Sequence, residues 1–251
     1  MNFVGLVSGG KDSIYSICKL IDQGHRLVAL VHMSSTEEYS DSYMYQTVGS
    51  EVALLLGQCL DVPFFAFKTA CKTVNKELGY EESAGDEVED LFDALQSVKD
   101  KIDYTGVSSG AILSTYQKNR VENVCKRLKL VSLAPLWNRS QRDLLSEMIS
   151  YGMTARIVKV ASSALEKACL NMSLKEIKEY MDLKNYKYEM NYCGEGGEYE
   201  TLVTDCKHFV KQIVFESSEV LSHPDDNGKS GGVYYLRFIN SSAIPKLEAT
   251  L

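Results

Sequence analysis

Three features that would fix a function class at once are missing from this sequence: a long apolar run, a pair of closely spaced cysteines and an internal repeat. No stretch of the 251 residues is apolar for long enough to cross a bilayer, and the first residues read as a strand rather than a secretion signal. Both absences predict a cytoplasmic protein with no membrane role. The seven cysteines are scattered and include no C-x-x-C pair, so we expect most to be reduced and several to be buried.

An excess of positive charge is also lacking. The chain carries 27 Lys and Arg against 34 Asp and Glu, a formal net charge of −7, which argues against nucleic acid as the main partner. Hydrophobic residues make up 45% and charged residues 24%, ordinary values for a globular protein with a real core. The length allows one large domain or two modest ones.

The most informative motif follows a short apolar run, residues 3–7. Its residues are Ser8-Gly9-Gly10-Lys11-Asp12-Ser13. This order predicts a strand, a tight glycine turn and the first turn of a helix, whose N–H groups would face an anion. Lys11 adds a positive charge, and Ser8 and Ser13 add hydroxyl donors. We therefore expect these six residues to bind a polyphosphate, with Asp12 as the magnesium ligand.

Two other interpretations of this motif are weaker. Gly5, Gly10 and Lys11 fall at P-loop spacing, but Asp12 stands where a P-loop has Ser or Thr, and Gly5 lies inside the apolar run. An ordinary βα turn with a glycine-rich helix start is the other alternative. The motif instead resembles the signature of the PP-loop (N-type) ATP pyrophosphatases, which cleave ATP to AMP and pyrophosphate.

The first half of the chain alternates apolar runs with amphipathic segments. The predicted strands are 3–7, 27–32, 62–67, 104–107 and 130–133, and the predicted helices are 12–23, 42–57, 87–101 and 113–129. This alternation predicts a doubly wound α/β domain with a parallel sheet, a nucleotide-binding fold of the PP-loop, HUP-like kind, over residues 1–134. In such folds the first βα turn is where nucleotides bind.

The pattern changes from about Pro135. Predicted helices cover 140–151 and the segment after the Ser173–Glu176 capping box, and predicted strands cover 155–161, 201–204, 209–216 and 233–239. The second half is therefore expected to be a smaller, mixed α+β companion domain, residues 135–251. Residues 223–232 are rich in turn formers, which predicts a mobile loop.

A second motif interleaves three glycines with three carboxylates: Cys193-Gly194-Glu195-Gly196-Gly197-Glu198-Tyr199-Glu200-Thr201. Such a loop approaches a substrate closely, while Glu195, Glu198 and Glu200 act as bases or bind a cation. The alternative is a solvated acidic turn before a strand.

Further candidates lie on the same predicted sheet edge. In the turn 105–111, Ser108 or the Gly110 amide is expected to touch the nucleotide. His32 ends the second strand near the expected position of adenine, although a lone His is more often structural. Arg120 is a candidate to neutralise a phosphate, with a solvated helix face as the equal alternative. The four acids of residues 85–90 suit a helix start, which explains them without a metal.

Taken together, the motifs resemble those of one family, the diphthine–ammonia ligases, PP-loop enzymes of the last step of diphthamide synthesis. The resemblance covers nearly the whole chain and rests on residues 8–13, 41–49, 85–91, 110–114, 116–117, 120–125, 193–201 and 235–238. Two departures are visible: Ser50 stands where the family usually has His, and Asn171 where it usually has Gly.

The resemblance implies a reaction. The carboxylate of diphthine, a modified histidine on translation elongation factor 2, would attack the α-phosphate of ATP, and ammonia would displace AMP from the acyl-adenylate. Lys11, Asp12 and Arg120 would act on the phosphates with Mg²⁺, and the three glutamates would hold ammonium and take its proton. Two rivals stay open: a tRNA-modifying PP-loop enzyme, which usually carries cysteine pairs and a basic surface, and a non-catalytic nucleotide-binding module.

Overall fold

The computed structural model describes residues 1–35, 50–184, 190–222 and 232–246. Over these ranges the chain divides into two compact units. The first unit consists of Met1–Ser8, Asp12–Ser50 and Val62–Arg139, and the second of Gly9–Lys11, Glu51–Asp61 and Ser140–Leu251. The division leaves three residues of the glycine turn with the second unit.

The first unit is built on a five-stranded parallel sheet with the order β3-β2-β1-β4-β5. Its strands are β1 (Asn2–Leu6), β2 (Arg26–Ser35), β3 (Phe64–Thr69), β4 (Gly106–Ser108) and β5 (Val131–Leu133). The strand order reverses between β1 and β4, and ligands of such sheets bind outside the carboxyl ends of the strands at that point. The predicted doubly wound α/β fold is confirmed.

Three long helices of this unit are α1 (Lys11–Asp22), α4 (Glu87–Lys99) and α5 (Thr115–Leu128). The buried faces of α4 and α5 share one core with the central strands, as the spacing of their apolar residues predicts. The helix predicted over residues 42–57 is wrong as one piece: α2 (Ser50–Ala53) and α3 (Leu56–Leu60) are separate short helices, and residues 42–49 lie outside the described ranges.

The second unit contains an antiparallel sheet with the order β7-β6-β10-β9 and a separate pair, β11-β8. Its elements are α6 (Gln141–Ser150), β6 (Thr154–Val160), α7 (Leu174–Lys184), β7 (Tyr199–Asp205), β8 (Lys211–Val214), β9 (Ser217–Ser222), β10 (Tyr234–Ile239) and β11 (Ser242–Pro245). The mixed α+β character is as predicted. The predicted mobile loop falls almost wholly on 223–231, outside the described residues.

The capping box before α7 is confirmed. The Glu176 N–H donates to the Ser173 hydroxyl at 3.3 Å, and the Ser173 N–H donates back to the Glu176 carboxylate at 2.7 Å. These reciprocal bonds satisfy donors that a helix start leaves open. In the part of the chain that the structure describes, no helix has the length and apolarity needed to span a bilayer.

Candidate active site

The glycine turn leaves β1 at its carboxyl end. Gly9 has a φ of +94°, in the left-handed region that disfavours side chains with a Cβ. A Cβ added there would lie 3.4 Å from the Leu202 side chain, an ordinary contact, so the backbone conformation rather than lack of space requires glycine. The Gly9 carbonyl accepts a hydrogen bond from the Val203 N–H at 2.9 Å.

A second turn, after β4, packs against the start of α1. A Cβ on Gly110 would lie 2.7 Å from the Ser13 nitrogen and 2.9 Å from the Asp12 carbonyl carbon, both backbone atoms that cannot swing away. The Ser16 hydroxyl donates to the Ser109 carbonyl at 2.8 Å and ties the two segments together. The two predicted nucleotide turns therefore meet at one edge of the sheet.

Buried polar atoms without a hydrogen-bond partner among the described residues lie at this edge of the sheet. The hydroxyls of Ser108 and Ser109 are buried and have no hydrogen-bond partner among the described residues. Buried hydroxyls are costly without a partner, and donor hydroxyls suit phosphate oxygens. The chemistry of the turn thus fits a bound nucleotide.

His32 is buried and lies just beyond the level at which β1 ends, but β2 continues to Ser35, so the prediction that His32 ends the second strand is wrong. Its Nδ1 lies 2.8 Å from the Val7 carbonyl, an acceptor, so Nδ1 carries the proton. Burial lowers the pKa of His32, with a smaller push from Lys68, against the hydrogen bond to Val7, which raises it. The ring is therefore neutral, and its Nε2, buried without a partner among the described residues, is a hydrogen-bond acceptor.

Lys11 links the glycine turn to the acidic glycine loop within the second unit. It is 2% exposed, its Nζ donates to the Cys193 carbonyl, and it lies 4.9 Å from the centre of the Tyr199 ring. Its backbone N–H donates to the Thr201 hydroxyl at 3.0 Å. These two bonds join residues that are 190 and 182 positions apart in the sequence. The glycine turn and the acidic glycine loop are therefore connected through both the side chain and the backbone N–H of Lys11.

The acidic glycine loop has a defined internal structure. The Glu198 Oε1 accepts hydrogen bonds from the Asn191 backbone N–H at 3.0 Å and its Nδ2 at 2.7 Å. Gly196 leaves room for this carboxylate, since a Cβ there would lie 2.8 Å from it. Gln141, at the start of α6, binds the Cys193 N–H at 2.9 Å and the Asn191 side chain at 3.1 Å.

These contacts contradict the interpretation of the segment as a solvated acidic turn. Glu198 is half-buried, with an Oε2 that has no partner among the described residues, and Glu200 forms an ion pair with Lys159 at 3.0 Å. Glu195 is half-buried in the same loop, between Gly194 and Gly196. The loop brings a partly desolvated carboxylate into the segment that binds Lys11.

Comparison with known proteins gives this arrangement a family. A model of the diphthamide synthase N-terminal domain matches residues 1–132, and a model of the diphthamide synthase C-terminal domain matches residues 140–228. The chain belongs to the diphthamide synthase family. Membership makes it a ligase enzyme of diphthamide synthesis.

Curated relatives named diphthine–ammonia ligase agree. The Danio rerio relative is 42% identical over 99% of this chain and 98% of its own length, and the Homo sapiens relative is 44% identical over 95% and 91%. The Schizosaccharomyces pombe relative is 43% identical over 94% of this chain, which spans 39% of that protein's length. One solved structure, titled as a predicted subunit of tRNA methyltransferase from Methanocaldococcus jannaschii, matches at 15% identity over 82% of this chain and 98% of its own, with a TM-score of 0.36, too low to carry an argument.

Arg120 lies in a different setting from that expected. It is fully buried, and its Nη2 donates to the carbonyls of Asn75 at 2.6 Å and Glu77 at 3.1 Å, while its guanidinium lies 3.3 Å from the centre of the Tyr116 ring. The solvated-face alternative is therefore wrong. Phosphate binding by Arg120 stays a prediction, and its visible work is to hold the segment before α4.

The acids of residues 85–90 act as structural acceptors. Asp86 caps α4 by accepting from the Val88 N–H at 3.0 Å, as its position at a helix start predicts. Glu87 accepts from the Thr73 hydroxyl at 2.9 Å, and Asp90 accepts from the Thr69 hydroxyl at 2.6 Å. These contacts agree with the structural interpretation of the motif.

One of the two family departures has a physical explanation. Asn171 has a φ of +65°, the left-handed conformation that glycine adopts most easily and that Asn tolerates better than other residues. The replacement of the family's Gly by Asn is therefore conservative in backbone terms. The side chain of Ser50 lies outside the described set, so the missing His has no structural account.

The sequence predicts a magnesium ion at Asp12. Among residues 1–35, 50–184, 190–222 and 232–246, no cluster of three or more His, Cys, Asp or Glu side chains can hold a metal ion. Magnesium is commonly held by one or two carboxylates together with substrate phosphates, so a single carboxylate beside a phosphate turn fits that ion. Asp12, in the first turn of α1, is suitably placed for this role.

Several residues of the candidate site were not predicted from the sequence. Thr201, Tyr199 and Gln141 contact Lys11 or the acidic loop, and the Ser109 hydroxyl accompanies that of Ser108. Thr201 and Tyr199 lie inside the recognised motif, where their hydroxyls were a signal. Gln141 offers none, because its role depends on where α6 lies in the folded unit.

Proposed function

We propose that this chain is an ATP-dependent ligase that converts diphthine on translation elongation factor 2 to diphthamide, with ammonia as the nitrogen donor. The diphthine carboxylate attacks the α-phosphate of ATP to give an acyl-adenylate and pyrophosphate. Ammonia then attacks the acyl carbon, AMP leaves, and an amide remains. The observation that carries this proposal is the direct bonding of Lys11 to the acidic glycine loop at Cys193 and Thr201.

The pairing of these two motifs supports a reaction with two steps at adjacent groups. A lysine at a phosphate turn stabilises charge on leaving pyrophosphate, and one such preorganised donor changes a rate by about 10²–10³. A carboxylate loop can bind ammonium and take its proton, which leaves ammonia as the nucleophile. A protein that only bound nucleotide would not need the second group.

In this proposal the glycine turn, the start of α1 and the Ser108–Gly110 turn bind ATP. Ser8, Gly9, Gly10, Lys11, Asp12, Ser13, Ser108 and Gly110 contact its phosphates. His32 presents its neutral Nε2 as an acceptor to the adenine amino group. Asp12 would hold Mg²⁺, which supplies positive charge to the phosphates. Arg120 belongs to the proposed set only indirectly, through the segment that it holds.

Glu195, Glu198 and Glu200 would receive ammonium. Glu200 Oε1 is paired with the Lys159 ammonium at 3.0 Å, whereas Glu198 Oε1 accepts hydrogen bonds from the neutral Asn191, and the Oε2 atoms of both residues are buried. A partly buried carboxylate that is held by an amide rather than by a lysine is better placed than Glu200 to accept a proton. We therefore propose Glu198 as the base.

The proposal includes a division of labour along the chain and a cellular setting. Residues 1–134 would form the ATP-binding domain and residues 135–251 the companion that carries the acidic loop. The partners would be elongation factor 2 and ammonium, in the cytoplasm, with no role for nucleic acid or membrane.

ATP–pyrophosphate exchange tests the proposed function. The purified chain is given ATP, labelled pyrophosphate and either diphthine-bearing elongation factor 2, the unmodified factor or bulk tRNA. Exchange only with the diphthine-bearing factor supports the proposal. Exchange driven by tRNA would favour a tRNA-modifying enzyme, and none with any acceptor would favour a nucleotide-binding module.

A further inference from the structure

The connection between β3 and α4, residues 70–86, contains no helix or strand of its own. We call it the β3–α4 segment. Irregular connections longer than about 12–15 residues are uncommon in compact domains and are usually functional or disordered. The contacts of this one show that it is ordered.

Acidic side chains hold the segment from the α4 side. The Asp86 Oδ2 accepts from the backbone N–H groups of Val74 at 2.8 Å and Asn75 at 2.9 Å. Thr73 donates its hydroxyl to Glu87 at 2.9 Å, and both acids are fully buried. Side chains thus replace the hydrogen bonds that a regular element would supply.

Side chains of α5 hold the same segment by its carbonyls. Besides the two bonds from Arg120 to the carbonyls of Asn75 and Glu77, Asn119 donates its Nδ2 to the Leu78 carbonyl at 2.8 Å. Burying the charged Arg120 side chain costs free energy, and its hydrogen bonds to backbone carbonyls offset that cost while they fix the conformation of the segment. The shape is therefore fixed before any partner arrives.

Two large hydrophobic and two basic side chains are exposed on this fixed segment, with Glu77 exposed among them and Glu81 and Glu82 exposed further along. Val74 is 58% exposed and Leu78 is 65% exposed, although both are large hydrophobic residues. Lys72 and Lys76 are exposed at alternate positions beside them. We call Lys72, Val74, Lys76 and Leu78 the outer strip.

The direction of the parallel strands determines on which side of the sheet the outer strip lies. The β3–α4 segment leaves the carboxyl end of β3, and in a parallel sheet that end lies on the same edge as the carboxyl ends of β1 and β4. The glycine turn and the Ser108–Gly110 turn leave from those two ends. The strip is thus on the side of the sheet from which a substrate reaches the nucleotide.

We propose that the outer strip is a docking surface for the protein substrate, an inference that rests on the proposed function. Val74 and Leu78 take apolar side chains of the substrate, and Lys72 and Lys76 take carboxylates beside them. A surface held rigid from behind loses little conformational entropy on binding, which favours affinity.

The test is steady-state amide formation on diphthine-bearing elongation factor 2 by two double variants, V74S/L78S and K72E/K76E. We expect each to raise the KM for the protein substrate about tenfold, with kcat and the Kd for ATP unchanged. The matched control is V131S/L183S, which replaces one Val and one Leu that are 47% and 73% exposed elsewhere. The control is expected to keep the wild-type KM.

The outcomes separate the two proposals. If the wild-type chain makes diphthamide and both strip variants keep a KM within twofold of it, the docking surface is wrong and the proposed function stands. If the wild-type chain makes no amide, the proposed function fails and the docking partner falls with it. A rise in KM shared by V131S/L183S would show a general surface effect and would also overturn the docking proposal.

Discussion

The Lys11 ammonium is buried in the second unit, where it donates to the Cys193 carbonyl of the acidic loop. Lys11→Met keeps the unbranched stem and removes the charge and its donors. We expect AMP formation to fall by about 100-fold or more, the loss typical for a preorganised donor in a transition state. Far-UV circular dichroism should stay unchanged. Lys19→Met, in the last turn of the same helix, is the control, and normal AMP release by the Lys11 variant would remove the phosphate turn from the mechanism.

Glu198 offers a test in which size is kept and charge is lost. In Glu198→Gln the side-chain oxygen still accepts from Asn191, so the loop should keep its shape. We expect ATP binding to survive and amide formation to drop at least tenfold, because the base is gone. Calorimetric ATP titration and amide yield measure the two effects. Glu179→Gln, an exposed helix position, is the control, and full activity in the Glu198 variant would exclude this carboxylate as the base.

His32 makes stability depend on pH. Burial lowers its pKa below 6.5 in the folded state, so between the two pKa values the unfolded chain binds a proton that the folded chain does not. The free energy of unfolding should therefore decrease as pH falls below about 6.5, by up to roughly 1.4 kcal/mol per pH unit from this group. His32→Asn keeps a donor toward Val7 and lacks the titration. Urea unfolding at pH 7.5 and 5.5 should show a smaller loss in the variant, and equal losses would contradict the assignment.

Elements buried on both sides were the most predictable. The central strands β1 and β2 are apolar runs that are largely buried, as expected of parallel strands covered by helices, so their sequence pattern and their burial agree. The strand Ser217–Ser222 was missed because it is polar and half-exposed, and the strand Ser242–Pro245 because it is short and ends in proline. Nothing in the residue types at Leu54 and Leu55 signals the break between α2 and α3.

The candidate site was predictable by motif and not by contact. The glycine turn and the acidic loop are both recognisable in the sequence, because they place glycines beside charged residues. Few purely structural loops need that combination. That Lys11 bonds to Cys193 and Thr201 depends on contacts across separations of 182 and 190 residues, which no local pattern encodes. For Arg120 the sequence could not distinguish a buried side chain from a solvated one, because an arginine in either setting fits the pattern of an amphipathic helix.

The packing of the Ser108–Gly110 turn against the start of α1 gives a prediction at the level of elements. Gly110→Ala places a methyl group 2.7 Å from the Ser13 nitrogen, so the β4 turn and the start of α1 must separate. We expect a loss of about 1–3 kcal/mol in the free energy of unfolding and at least tenfold weaker ATP binding. Gly24→Ala is the control, because its φ of +84° imposes backbone strain in open space. It should lose stability with unchanged ATP affinity, and a Gly110 variant that binds ATP normally would contradict the packing argument.

At the scale of the whole molecule, the histidines and cysteines of the chain indicate which compound supplies the amide nitrogen. Glutamine-dependent amidotransferases use a separate site with a nucleophilic cysteine and a partner His. None of the four histidines of this sequence, His25, His32, His208 and His223, stands in a recognisable glutaminase motif with a cysteine. His32 is committed to Val7, and Cys193 is flanked by the acidic loop and bonded to Gln141.

Ammonia itself is therefore the expected donor. The purified chain with ATP and diphthine-bearing elongation factor 2 should form amide with ammonium and form at least 100-fold less with glutamine freed of ammonium. Mass spectrometry with ¹⁵N-ammonium or amide-¹⁵N-glutamine identifies the nitrogen that enters the product. Adding an unrelated glutaminase to the glutamine reaction should restore the yield, which shows that the substrate and enzyme are competent. Equal incorporation from both donors by the chain alone would reveal a glutaminase site and defeat the prediction. Selective use of ammonium would instead fit a carboxylate loop in which Glu198, held at Oε1 by Asn191, takes the proton that ammonium must lose before ammonia attacks.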